Sequence, residues 1–507
     1  MANAMNSSPA TYRASAAESS ELSPKFGAAL EILAYLTAVA AATLCFLMGW
    51  LTSDGAAVLT VLLLVSLIGL AWKRFDGGRH PCFFFLCMLA LFQAGRLIAY
   101  CAEGETDIFR ITLMTSEQFD VSRNVAGSVL LLIALSAVCI YAPCRWNYRP
   151  FSPGPSRSFG RFLPYLYLLF SLSVPVQLYK NFCYYQYAKD HGGYLVVFID
   201  HGGMAASIPM AVRAISLISL PAFVGIFVLE QRKRFLRTAT AVYFAIAAPI
   251  LMMGSRGAAF SLVLSLWYLA KVKSGERARL YSAGLLGAGL VLAGSLVGSF
   301  RAGDVESNAL AAPFQFVAGQ GASLNVTEVA VAYRPRFAPH IFSNLADELR
   351  SAFSPTDHMA YVAGKNFDAD VSMFLNPIAY QMGNGGGSSY LAEAYVAGGL
   401  AGVVIVSAAL GALFHGMNVY ARNPFGLFLI AMILPDVLLM PRGGLLDWVS
   451  ASLRVGISVL LLVAGWYFYQ AIARIGLILW GNNLWEATAR SATACRTSPA
   501  KYSQLTT

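Results

Sequence analysis

Apolar residues fall along this chain in blocks of roughly twenty, and every second polar segment between them is rich in Lys and Arg. Blocks of that length match a bilayer, whose hydrocarbon layer of about 30 Å is crossed by a helix of about 20 residues. They lie at 29–51, 55–72, 82–101, 125–143, 162–179, 208–229, 238–254, 258–270, 280–300, 395–417, 425–440 and 455–471, and predict twelve spans. Those at 258–270 and 425–440 are short, so their ends are the ones most open to revision. Between spans nine and ten the pattern changes. Phe342, Leu345, Leu349 and Phe353 recur at i, i+3, i+7 and i+11, which predicts an amphipathic helix at the interface or against the bundle, ending near Pro355. The whole segment, 302–391, is too long for a simple connector.

The chain therefore divides into a Ser- and Ala-rich tail expected to be disordered and without a signal peptide (1–26), spans one to nine (27–301), the large loop (302–391), spans ten to twelve (392–472) and a polar tail (473–507). In that tail Ile475 to Trp485 is apolar but too short to cross. The basic loops set the orientation. Lys73, Arg74 and Arg79, then Arg145, Arg149, Arg157 and Arg161, then Arg232, Lys233, Arg234 and Arg237, then Lys271, Lys273, Arg277 and Arg279 all fall on one side, and Arg422 and Arg474 agree. By the positive-inside rule that side and both termini are cytoplasmic, and the 302–391 loop lies outside.

Composition supports this picture: 57% of residues are hydrophobic and 12% charged, against about 25% charged in soluble domains, so lipid must solvate the fold. The net charge of +10 belongs to the loops that fix topology, so no nucleic-acid partner is expected. Of eight cysteines, Cys45, Cys82, Cys87, Cys139 and Cys144 lie in or beside apolar runs without metal-ligand spacing and read as small core residues. Cys101 and Cys183 fall on the outer side, where a pairing is left open. No two histidines stand at ligand spacing, and zinc-protease, Walker and nucleophile-elbow motifs are missing, so neither metal nor cofactor is expected.

Charge near the membrane is costly and marks candidate sites. Arg256 in the tight turn Gly254-Ser255-Arg256-Gly257, Arg301 at the end of span nine, Arg442 in Pro441-Arg442-Gly443-Gly444, Arg454, Arg96 and Arg213 all lie on the side where insertion bias disfavours them. Guanidinium forks match phosphate oxygens bidentately, so these arginines suggest a pyrophosphate-bearing lipid, with snorkelling or salt bridging as the alternative. The Gly-rich stretch Gly383-Asn384-Gly385-Gly386-Gly387-Ser388-Ser389-Tyr390 runs into span ten, offering a gate and helix N–H groups for an anion. Glu393, one turn in, is a candidate general base or a complement to the helix dipole. Asp368-Ala369-Asp370 has the spacing of a metal-binding acidic pair, which is common by chance in loops. Asp436 is placed to pair with an arginine or fill a broken-helix site, and Glu31 is expected to snorkel.

The Gly-Ser-Arg-Gly turn at 254–257, the large loop, and Gly-Gly-Ser-Ser-Tyr-Leu-Ala-Glu-Ala-Tyr-Val-Ala-Gly-Gly-Leu-Ala-Gly at 386–402 resemble the Wzy-type O-antigen polymerases. The resemblance implies an all-α, GT-C-like membrane bundle in a bacterial inner membrane with its site on the periplasmic side. It implies a metal- and nucleotide-independent glycosyltransferase that takes undecaprenyl-diphosphate-linked glycan as donor and a lipid-linked repeat unit as acceptor, with a chain-length regulator as a further partner to test. It gives the pyrophosphate role to Arg256 and Arg301, and after them to Arg442. From the residues themselves Glu393 joins Arg256 and Arg301 as a catalytic candidate, and Arg96, Arg213, Arg454, Ser388, Ser389 and Tyr390 join Arg442 as substrate-binding candidates. The related O-antigen ligases have a His-Asn pair where this chain has Ser388-Ser389, which favours polymerase. A ligase, or a flippase for the same lipid-linked glycan, remains the alternative; the unequal halves of the chain argue against a transporter repeat.

Overall fold

The computed structural model describes residues 22–103, 110–112, 118–120, 122–146, 148, 160–191, 201–252, 256–302, 312–339, 346, 366–381 and 387–496; in parts of these, Arg256 and Arg301 among them, only the backbone is described. Helices dominate. In chain order they are α1 (Leu22–Leu47), α2 (Ser53–Arg74), α3 (Pro81–Glu103), α4 (Arg123–Trp146), α5 (Leu163–Asp190), α6 (His201–Ala206), α7 (Met210–Ser216), α8 (Ser219–Leu229), α9 (Lys233–Met252), α10 (Arg256–Ser274) and α11 (Leu280–Ala302). The segment between α11 and the last three long helices holds α12 (Ala312–Gln320), α13 (Ser323–Ala332), α14 (Phe367–Leu375) and α15 (Pro377–Gln381). Then follow α16 (Tyr390–Tyr420), α17 (Pro424–Leu439) and α18 (Asp447–Arg496). One small antiparallel hairpin pairs β1 (Arg110–Thr112) with β2 (Gln118–Asp120).

Each of the twelve apolar blocks coincides with helix, and nine stretches among the described residues are long and apolar enough to cross a membrane. This is a polytopic, essentially all-helical membrane protein. The block at 208–229 is one span broken at Leu217–Ile218 into α7 and α8, and 425–440 is the short helix α17. Several boundaries differ from the sequence expectation: helix begins at Leu22, α5 runs on to Asp190, and α18 starts at Asp447 and continues through the Gly481-Asn482-Asn483 interruption to Arg496. Neighbouring helix backbone satisfies itself, so three polar residues do not end a helix that has no better hydrogen-bonding alternative.

Helix α4 is the centre of the bundle, packed by α1, α2, α13 and α16. In lipid no hydrophobic force separates helix contact from lipid contact, so small residues and interhelical hydrogen bonds decide association. Both are found here. A Cβ on Gly411 of α16 would stand 2.4 Å from Ile140 O and 3.0 Å from Pro143 Cδ of α4, so only glycine permits that approach. Buried Ser136 of α4 lies 2.7 Å from Tyr390 Oη and 2.8 Å from Ser407 Oγ, joining the two helices by hydroxyls that have no water to turn to.

At the basic-loop end several charges are paired. Glu31 of α1 does not snorkel; it is held by Arg74 of α2 and by Arg145 of α4, whose Nε is 3.2 Å away, so one carboxylate joins three helices. Arg277 Nη2 lies 2.8 Å from Asp76, which also accepts from Tyr148 Oη at 2.8 Å. Arg232 binds Glu230 at 2.9 Å beside the Tyr167 hydroxyl, and this guanidinium holds the Glu230 carboxyl down at about 2. Lys273 donates to Phe227 O at 2.9 Å and to Glu230 O. Cys101 and Cys183 are free thiols, so the pairing left open is not formed.

The segment 302–391 does more than cap the bundle. A Cβ on Gly95 of α3 would lie 2.5 Å from Val317 O, and one on Gly321 would lie 2.4 Å from Arg96 N, so α12 and the turn after it are in backbone contact with α3. Phe316 reaches Gly294 of α11 and stacks edge-on with Phe260 of α10 at 6.0 Å. Gly95, Gly294 and Phe260 each stand 14 residues from the basic-loop end of their helix, about 21 Å along the axis. These contacts are therefore about 10 Å inside the far ends of α3 and α11. Helix α13 continues into the bundle against α3, α4 and α16, burying Leu324, Val326, Thr327, Glu328, Val329 and Ala330. The amphipathic helix expected over Phe342 to Phe353 lies outside the described residues.

Candidate functional site

The sequence around residue 390 builds a helix start with several uses at once. Ser389 is the N-cap of α16: its extended backbone (φ −155°, ψ 128°) turns the hydroxyl to accept Leu391 N–H at 3.2 Å. Gln93, fully buried on α3, donates Nε2 to that same Ser389 Oγ at 2.9 Å and to Pro441 O at 2.6 Å, while its Oε1 accepts the Thr327 hydroxyl at 2.9 Å. One amide thus ties α3, α13, the start of α16 and the turn after α17. Tyr390 N–H donates to Met440 O at 3.2 Å, bringing the 440–447 turn against the helix start.

Glu393 sits at this junction, 5% exposed. Its Oε1 accepts the Ser388 hydroxyl at 2.6 Å and its Oε2 accepts Leu445 N–H at 3.0 Å. Gly444 N–H donates to Asp447 Oδ2 at 2.5 Å, capping the start of α18. A Cβ on Gly444 would be 2.4 Å from Asp447 Oδ1 and 2.9 Å from Glu393 Oε1, so the turn passes between two carboxylates and needs glycine to do so. Both carboxylates also complement helix N-termini, Glu393 in the first turns of α16 and Asp447 at the head of α18.

Two arginines converge on the same region. Arg442 donates Nη1 to Gln320 Oε1 at 2.6 Å and lies over the Phe92 ring at 5.7 Å, exposed at the edge of the cluster. Arg96, one turn along α3 from Phe92, donates to Asn325 Oδ1. In both contacts an amide oxygen fixes the direction of the guanidinium. A third arginine was not anticipated: helix α16 breaks at Gly399 (φ 60°, ψ −144°), and Arg334 lies against the break, donating Nε to Val396 O at 3.4 Å with its guanidinium 5.5 Å from the Tyr395 ring.

The remaining expectations separate. Arg256 is the first residue of α10, one turn before Phe260, and Arg301 is at the far end of α11; their side chains lie outside the described residues. Arg213 belongs to another group: it flanks Lys180, which donates to Ser216 Oγ at 3.1 Å, and its own Nε is buried without a hydrogen-bond partner. Arg454 is exposed on α18, 3.5 Å from Ser450 Oγ, with its charge acting on Asp436. Asp368 and Asp370 lie in the first turn of α14, where Asn366 caps Asp368 N–H at 2.9 Å and Asp368 Oδ1 accepts the Ser372 hydroxyl at 3.2 Å; that is a helix start. Of the Gly-rich stretch, 383–386 lies outside the described residues, and Gly387 takes φ 76° beside Arg442 O.

What the geometry offers is a buried, hydrogen-bonded carboxylate with a serine hydroxyl on it, next to oriented guanidinium groups, where a large loop re-enters a membrane bundle. A family model described as O-antigen polysaccharide polymerase Wzy matches residues 35–470, from the middle of α1 into α18. The chain belongs to this Wzy family. It is accordingly a membrane-bound polysaccharide polymerase that works on lipid-linked oligosaccharide repeat units. No curated protein matches it, and no solved structure does. The Wzy match covers the Glu393 cluster and the 302–391 segment, and it agrees with the resemblance carried by 254–257 and 386–402.

Proposed function

We propose that this Wzy polymerase transfers glycan at the end of the bundle opposite the basic loops, the periplasmic face of a bacterial inner membrane, with both termini cytoplasmic. The donor is a glycan on undecaprenyl diphosphate and the acceptor a single lipid-linked repeat unit. An acceptor hydroxyl at the non-reducing end attacks the donor's anomeric carbon, the bond from that carbon to the diphosphate oxygen breaks, and undecaprenyl diphosphate leaves with the electron pair. Neither metal nor nucleotide takes part in this step.

The observation that carries the proposal is the convergence of Arg442 and Arg96 on the loop re-entry, beside Ser388 and Glu393. Fixed guanidinium groups in a site of lowered dielectric stabilise the developing diphosphate charge by several kcal/mol. Arg256 and Arg301 stand at the ends of the two helices that α12 touches through Phe316, and we assign them to the same pyrophosphate-binding wall. Glu393 takes the acceptor proton through Ser388, whose hydroxyl already points at it. Ser389 and Tyr390 hold the helix start in register, and Arg213 and Arg454 serve the flanking surface.

The test is a reaction of the purified protein in nanodiscs with a synthetic undecaprenyl-diphosphate repeat unit, read by gel ladder and mass spectrometry. A ladder spaced by one repeat is expected, made without nucleotide or added divalent metal. Glycan delivered to lipid A without a ladder, or lipid moved across proteoliposomes with no new glycosidic bond, would overturn the proposal.

A further inference from the structure

The basic-loop end holds a cluster that the polymerase reading does not use. The turn joining α2 to α3 is tight: Asp76, Gly77 and Gly78 have φ of 53°, 70° and 78°, and a Cβ on Gly77 would lie 2.8 Å from Ala278 O. This turn folds His80 back into the protein, fully buried, with its ring stacked on Phe75 at 4.4 Å. Two residues on, in the first turn of α3, Cys82 is fully buried as well, and near the end of α4 so is Cys144. A His80 ring nitrogen and the two sulfur atoms all lie within 4.8 Å of one another.

Three features distinguish this cluster from ordinary core packing. Its donor set, two thiols and an imidazole, is that of soft-metal sites, and nothing in it suits a hard cation. Its size fits: metal–sulfur bonds of about 2.3 Å in tetrahedral geometry put sulfur atoms roughly 3.8 Å apart, so the ligands need to close by about 1 Å at most. And His80 Nε2 is buried without a hydrogen-bond partner, while Nδ1 accepts only Cys82 N–H at 3.2 Å. His415 stands on α16 one turn after Gly411, whose carbonyl accepts the Cys144 thiol at 3.1 Å.

We propose that His80, Cys82 and Cys144 form a binding site for one thiophilic metal ion, Zn²⁺ above others, with His415 the nearest candidate for a fourth ligand. Binding replaces two thiol protons, which leave to solvent, by two metal–thiolate bonds, with no change of oxidation state. The ion staples the α2–α3 turn and α3 to α4, and through His415 to α16. Helix α3 carries Gln93 and Arg96, and α16 carries Glu393, so the clamp holds the register of the helices that build the transfer site while lying outside it. The sequence hid this site because its ligands come from three helices and a turn, with no local ligand spacing.

The test is metal analysis of the full chain purified under reducing conditions, then replacement of the ion by Co²⁺ and reading of the sulfur-to-cobalt charge-transfer absorption. One ion per chain is expected, abolished by Cys82→Ser with Cys144→Ser and retained in Cys45→Ser. Should the double variant fail to fold, wild-type protein decides: Zn²⁺ is expected to shield two thiols from maleimide and raise the Tm, and chelator to reverse both. A wild-type chain that takes up neither Zn²⁺ nor Co²⁺ would overturn the proposal, as would a Cys82–Cys144 disulfide in the reduced preparation. The readout is metal content, so it stands or falls apart from polymerase activity.

Discussion

The two ends of this bundle treat arginine differently. At the basic-loop end Arg74 and Arg145 meet Glu31, Arg277 meets Asp76 and Arg232 meets Glu230, each guanidinium against a carboxylate. At the end where the large loop re-enters, Arg442 is aimed by Gln320 and Arg96 by Asn325, both neutral amides. The first arrangement joins helices through ion pairs; the second fixes the direction of a guanidinium through a neutral amide. An arginine count therefore says little until the chemistry of each partner is read beside it.

The strongest way to break this contrast is Arg442→Ala. We expect about a 10²-fold loss of polymerisation with normal insertion, as for removal of a preorganised charge donor. Partial rescue by Arg442→Lys and full activity in Arg277→Ala, read from ladder length, would sharpen it. Next comes Gln93→Leu, which leaves Ser389, Pro441 and Thr327 without their shared amide. It should cost about 1–3 kcal/mol, measured as a fall in detergent Tm, with polymer shortened as well.

Gly399→Ala places a side chain at φ 60° and ψ −144°, a conformation only glycine takes freely, and within 3.1 Å of Arg334. A cost of about 1–3 kcal/mol is expected in the same melt, and Arg334→Ala should relieve part of it. At the other end Glu31→Gln removes two ion pairs and should lower stability by about 1 kcal/mol, an effect that salt reduces.

The smallest effect concerns pH. Glu230 has its carboxyl held at about 2, below its ordinary 4.5, so its contribution is complete above that ordinary value and is lost as pH falls towards 2. Acid unfolding of wild type should therefore begin at higher Tm than that of Glu230→Gln, with the two curves converging at the acid limit.

Much of the architecture was legible in the sequence. A block of twenty apolar residues has few alternatives to a membrane helix, and Gly-Gly-Ser-Ser-Tyr-Leu-Ala-Glu carried its capping chemistry on its face: Ser388, Ser389, Tyr390 and Glu393 do gather where α16 begins. What stayed hidden were the residues whose role comes from a distant partner. Gln93 is a single amide in an apolar span, and Thr327, Gln320 and Asp447 look like ordinary polar residues until the fold brings them to Gln93, Arg442 and Gly444 in turn. A polar side chain surviving in a span was the signal for Gln93. Arg213 and Arg454 were grouped with the others because side of the membrane is readable and lateral position is not; α7 packs on α5, away from α16.

Glycan transfer is proposed for the loop re-entry and not for the basic-loop end. The most direct measurement is the rate of ladder formation from a defined undecaprenyl-diphosphate repeat unit by Arg442→Ala and Arg277→Ala side by side, each at matched insertion and Tm. A ladder lost in the first and retained in the second is expected. Equal ladders from both would contradict it.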